Sequence, residues 1–154
     1  MKIQWKTLVV CILIPLAVGS LSTLITRNGM EDFAMVNKPA LALPNWLFPI
    51  VWTLLYTLIG IASYLIYISE RPNQQALTVY GIQLIVNFFW SIFFFSLQWY
   101  LFSFFWLVLL WLLILYTIKQ FYSISKLASY LLIPYLLWVT FAGYLNYAIY
   151  LLNP

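Results

Sequence analysis

Between Arg71 and Lys119 the chain carries no charged side chain. At ~1.5 Å per residue a single helix over that stretch would measure roughly 70 Å, about twice the ~30 Å hydrocarbon core of a bilayer. A run this long and this apolar has to cross lipid and fold back once. The polar and aromatic patch Ser96-Leu97-Gln98-Trp99-Tyr100 is where an interfacial turn fits. Three further charge-free runs lie between Lys6 and Arg27, from Pro39 to Ser69, and from Leu127 to Pro154. Each is long enough for one crossing of ~20 residues. The sequence therefore predicts an all-α, integral membrane bundle of five transmembrane helices in a single domain, 1–154. The spans fall at about 7–26, 45–68, 75–97, 100–120 and 127–152, with a long loop at 27–44. A cleaved signal peptide over the first twenty or so residues is the weaker reading. The apolar run there exceeds an ordinary signal h-region, and no small-x-small site ends it.

Composition agrees with lipid as the main solvent. Hydrophobic residues make up 66% and charged residues 6%, with a mean hydropathy of +0.99. A soluble domain carries roughly a quarter charged residues. The net charge of +4 is spread thinly and forms no basic stripe, which removes nucleic acid as a partner. Histidine is absent and Cys11 is the one cysteine. The usual general base, the commonest metal ligand and any intrachain disulfide go with them. No metal site and no required cofactor are expected.

Five crossings place the termini on opposite sides. Lys2, Lys6, Arg71, Lys119 and Lys126 collect on the N-terminal side, against Arg27 and Lys38 on the other. The positive-inside rule then predicts an inside N-terminus and an outside C-terminus in a multi-pass protein of a bacterial cell membrane.

The informative residues are those that lipid disfavours. In the third span Tyr80, Gln83, Asn87, Trp90, Ser91 and Phe94 recur at steps of three and four and share one helix face. In the fifth, Pro134, Trp138, Ala142, Leu145 and Asn146 form a stripe. In the second, Trp52 and Tyr56 lie one turn apart, followed by Gly60 and Ser63. Gly19 and Thr23 in the first span have the small-xxx-small spacing that permits close helix approach. One reading of these stripes is helix packing. The other is a pocket lined by Trp52, Trp90 and Trp138 with a few amides, suited to a large, flat, mostly apolar ligand. Trp5, Trp46 and Trp99 fall near span ends as interfacial anchors, while Trp106 and Trp111 belong to packing or lipid contact.

Three segments carry a resemblance. The run Leu132-Ile133-Pro134-Tyr135-Leu136-Leu137-Trp138-Val139-Thr140-Phe141-Ala142, followed by Leu145-Asn146-Tyr147, resembles the fifth-helix signature of the TspO/MBR family, also called the translocator or tryptophan-rich sensory protein family. Asn87-Phe88-Phe89-Trp90-Ser91 with Phe94 is similar to its third-helix motif. Phe48-Pro49-Ile50-Val51-Trp52-Thr53 with Tyr56 and Gly60 is similar to its second-helix motif. The resemblance implies a five-helix bundle, a homodimer, and a cavity under the long first loop. The ligands it implies are tetrapyrroles such as protoporphyrin IX or haem, and isoquinoline- or benzodiazepine-type drugs. Positions matching the family pocket are Pro44, Trp52, Asn87, Trp90, Trp138, Ala142 and Leu145. The implied function is a receptor or carrier linked to porphyrin transport or stress sensing. Two alternatives stay open: a light-dependent porphyrin-degrading enzyme using Trp52 and Trp138, and a structural membrane protein without a small ligand. Lys38 or Arg27 is placed to meet porphyrin propionates. The lack of histidine predicts a preference for metal-free porphyrin.

Overall fold

A computed structural model describes residues 3–33, 35, 38–39 and 46–153. Its elements are α1 (Trp5–Ile25), α2 (Arg27–Phe33), α3 (Leu47–Tyr67), α4 (Gln74–Ser91) running into a π-helical turn (Ile92–Ser96), α5 (Tyr100–Tyr122), α6 (Lys126–Leu131) and α7 (Ile133–Leu152). Five helical segments are long and apolar enough to cross a membrane: α1, α3, α4 with its π turn, α5, and α6 with α7. No strand occurs among the described residues.

The interior is written at helical spacing. On α5, Ser103, Leu107, Leu110, Ile114, Thr117 and Phe121 are buried, one residue every three or four. On α4 the buried face is Ala76, Tyr80, Gln83, Asn87 and Trp90, continued by Phe94 in the π turn. Tyr135, Val139, Ala142, Asn146 and Ile149 do the same on α7. These three seams pack together because α5 lies against both α4 and α7. Helix α1 packs along α3, and α3 meets α6 and the start of α7. Contacts between α1 and α4 close the ring. The opposite faces carry exposed Leu, Ile, Val and Phe, as a lipid-facing surface does.

Helix α1 approaches α3 closely at Gly60. A Cβ there would lie 2.6 Å from Ile12 Cα and 2.8 Å from the Cys11 carbonyl oxygen, so only glycine fits. Pro15, buried inside α1, has no N–H to offer that same carbonyl four residues earlier. Backbone polar groups freed this way inside a membrane need protein around them rather than lipid.

The turn expected at Ser96–Tyr100 lies between the end of the π turn and the start of α5. Gln98 adopts a φ of 54° there, and the Trp99 amide donates to the Phe93 carbonyl at 2.9 Å. Two expectations are corrected. The first part of the 27–44 stretch is the helix α2, which packs against the π turn rather than forming open loop. Pro134 does not join an inward stripe: it is exposed at the start of α7, while Tyr135 turns inward. A proline in the first turn of a helix loses no hydrogen bond, so its ring can face lipid.

Candidate ligand-binding cavity

The half of the bundle that carries α2 holds a partly open cavity of about 250 Å³. It is bordered by the C-terminal half of α1, the start of α3, the end of α4 with its π turn, and α7. Helix α5 contributes no lining residue. Trp52, Trp90, Trp138, Ala142 and Leu145 all line it, together with Phe48, Tyr56, Phe94 and Phe95. The aromatic residues form two groups. Trp52 stacks on Tyr56 with centroids 5.3 Å apart, and meets Trp138 edge-on at 6.2 Å with the planes at 90°. Phe48 also packs edge-on against Trp138 at 5.7 Å. The second group is Trp90 stacked on Phe94 at 5.1 Å, with Phe95 edge-on to both.

Each group is held from behind. Tyr56 fits because Gly19 on α1 has no side chain: a Cβ there would overlap the Tyr56 ring. Trp90 is fixed through its indole N–H, which donates to Asn146 Oδ1 at 3.0 Å. Asn146 Nδ2 in turn donates to the Tyr100 carbonyl at 2.7 Å, and Ser103 Oγ lies 3.1 Å from Asn146 Oδ1. All of these groups are buried, so the network satisfies polar atoms that lipid would leave bare. Trp138 Nε1 is buried and has no hydrogen-bond partner among the described residues.

Asn87 stands elsewhere. It is 1% exposed and does not line the cavity. Its Nδ2 donates to the Tyr135 hydroxyl at 2.8 Å, and that hydroxyl donates to Gln83 Oε1 at 2.7 Å. The expectation that Asn87 offers its amide to a ligand is therefore replaced by an interhelical role between α4 and α7. Pro44 lies outside the described residues. Arg27 opens α2 on the cavity's side of the bundle, and Lys38 is half-buried; neither lines the cavity. Among the described residues no cluster of His, Cys, Asp or Glu could hold a metal ion.

Sequence spacing missed some lining residues. Ile149 continues the Ala142–Leu145 stripe by one more turn, so the same period that marked those two points to it. Leu16 on α1 gave no polar or aromatic signal, and Ser22 falls outside the Gly19–Thr23 spacing that marked that helix. The outer tryptophans behave as anchors, with Trp5, Trp46 and Trp99 all more than half exposed. Trp106 and Trp111 pack between helices, donating to the Val86 carbonyl and to Thr140 Oγ1, each at 2.8 Å.

A helical bundle with five segments long and apolar enough to cross a membrane is a multi-pass integral membrane protein. Residues 11–152 match the model of the TspO/MBR family, and the chain belongs to that family. It is 43% identical to the tryptophan-rich protein TspO of Archaeoglobus fulgidus over 95% of this chain and 96% of that one. It is 40% identical to the protein of the same name from Chlorobaculum tepidum over the full length of both. The translocator protein of Sus scrofa is 32% identical over 95% of this chain and 89% of its own.

Proposed function

We propose that this protein is a membrane receptor or carrier that takes the edge of a tetrapyrrole, protoporphyrin IX first among them, into the cavity between α1, α3, α4 and α7. The observation that carries the reading is the meeting of Trp52, Trp90 and Trp138, from three helices, around one space. Indole faces supply dispersion and apolar burial to a flat aromatic guest, at ~25 cal/mol per Å² before ordering costs. Ligand sites for drug-sized molecules measure about 300–1,000 Å³, so a 250 Å³ space takes part of a macrocycle and leaves its carboxylates outside. On the α2 side those carboxylates meet Arg27 or Lys38. Isoquinoline-type ligands fit the same apolar lining. With no histidine in the chain, free porphyrin binds in preference to haem. The name "tryptophan-rich sensory protein", carried by a relative from Cereibacter sphaeroides, agrees with a sensing role.

The test is a titration of the purified protein with protoporphyrin IX, followed by tryptophan fluorescence. Saturable quenching that Trp138→Ala weakens at least tenfold supports the proposal. Quenching that rises linearly, or is identical in wild type and variant, overturns it. Illuminating the same complexes addresses the enzymatic alternative, in which Trp52 and Trp138 would act on the porphyrin. Faster loss of porphyrin absorbance with wild type than with Trp138→Phe or with buffer would establish turnover.

A further inference from the structure

At the opposite end of the bundle from α2, a groove of about 590 Å³ runs along the outer surface where α5 meets α6 and the start of α7. Its floor toward the membrane centre is apolar, made by Leu112, Leu115, Ile118 and Ile133. Its other end carries one cation and two phenols. Lys119 lines it with Tyr122 and Tyr130, whose rings lie 6.5 Å apart. Lys126 stands just outside the lining, with its Nζ 5.7 Å from the Tyr122 ring centroid. Both lysines are exposed and neither meets a carboxylate among the described residues. Glu70 is the one acidic residue in the sequence at this end; Glu31 and Asp32 belong to the other. Arg71 is already engaged, its Nη1 donating to the Ser123 carbonyl at 2.8 Å, which holds the α5–α6 turn in place.

We propose that this groove is a binding site for one anionic phospholipid of the leaflet on the N-terminal side. An acyl chain lies on Leu112, Leu115, Ile118 and Ile133, and the phosphodiester sits between Lys119 and Lys126 with the hydroxyls of Tyr122 and Tyr130 beside it. Charge complementarity selects the occupant. A zwitterionic lipid offers the same chains, but its own cation opposes two lysines that have no counter-ion. A second copy of this chain would bring the same unpaired cations against each other. Basic pockets between transmembrane helices at an interface are a recognised setting for acidic head groups.

The experiment is native mass spectrometry of the detergent-purified full chain given equal amounts of phosphatidylglycerol and phosphatidylcholine. Wild type is expected to retain one phosphatidylglycerol in about thirtyfold preference, from roughly two interfacial cations. Equal retention of the two lipids by wild type overturns the proposal without recourse to any variant. Lys119→Gln with Lys126→Gln should remove the preference. Leu115→Trp, which fills the apolar floor without changing charge, should remove retention of the lipid. Unchanged phosphatidylglycerol retention in either variant overturns it, as does full competition by inorganic phosphate, which would reduce the site to an ion pocket. So does a change of oligomeric state in Leu115→Trp with lipid retention intact, which would make the groove an interface between copies.

Discussion

The indole N–H of Trp90 is bonded to Asn146 Oδ1 at 3.0 Å, and this one contact fixes a cavity wall by tying α4 to α7. Asn146 lies outside the cavity lining, yet it also bonds the Tyr100 carbonyl and so reaches the start of α5. Asn146→Leu leaves the buried Trp90 N–H and the Tyr100 carbonyl without this partner. The expected cost is about 1–3 kcal/mol in the free energy of unfolding, read from an SDS titration. Porphyrin affinity should fall with it, since the Trp90 ring loses its anchor. In a Trp90→Phe background, which has no N–H to orphan, the added loss from Asn146→Leu should be smaller. Full additivity of the two changes would refute the coupling.

The Tyr135 hydroxyl holds two amides, accepting from Asn87 and donating to Gln83. Tyr135→Phe strips one partner from each while keeping the ring that packs edge-on to Trp52 at 6.4 Å. A loss of about 1–3 kcal/mol of stability is expected. Asn87→Leu should act in the same direction, and because Asn87 stays out of the cavity its porphyrin affinity should remain within about threefold of wild type. A larger affinity loss with stability intact would return Asn87 to the binding site.

These two residues also mark how far the sequence can be read. A three- and four-residue period identifies the inward face of α4, and an amide inside a membrane must face protein or enclosed water. Both statements hold for Asn87. Whether it then meets a ligand or another side chain depends on Tyr135, 48 positions along the chain, and no period within α4 encodes that. Pro134 shows the converse. It fits the spacing of the α7 stripe, but the chain breaks at Leu132 between α6 and α7. The inward face of α7 is centred on Tyr135, Val139, Ala142, Asn146 and Ile149, which leaves Trp138 at its edge and the proline, one turn earlier, exposed. The tryptophans were more legible because only two positions suit an indole here, the interface or a protein-lined interior. Their places along the spans separated Trp5, Trp46 and Trp99 from Trp52, Trp90 and Trp138.

The α1–α3 contact rests on Gly60, where an added methyl meets backbone atoms of Ile12 and Cys11 that have no rotamer with which to give way. Gly60→Ala should cost about 1–3 kcal/mol or more through overpacking. Gly143→Ala is the control. Its Cβ would find only Leu107 Cδ2, at an ordinary 3.8 Å, so stability should be unchanged or rise by up to about 1 kcal/mol through helix propensity. Because α1 forms one cavity wall, Gly60→Ala should also weaken porphyrin quenching, which Gly143→Ala should leave unaltered. Equal behaviour of the two alanine variants would contradict the close approach.

Ala142 is the smallest lining residue on α7, on the turn after Trp138. Ala142→Phe places a ring in the space a porphyrin edge would need, and makes its contacts with the aromatic walls already there. Filling a void adds dispersion contacts rather than removing hydrogen bonds, so unfolding by SDS should be unchanged or slightly harder. Saturable quenching by protoporphyrin should be lost. A structural bundle without a small ligand predicts no difference between this variant and wild type in any titration. Retained affinity in a folded Ala142→Phe protein would move the porphyrin out of this cavity, because the phenyl ring occupies a share of the about 250 Å³ that the macrocycle edge would need.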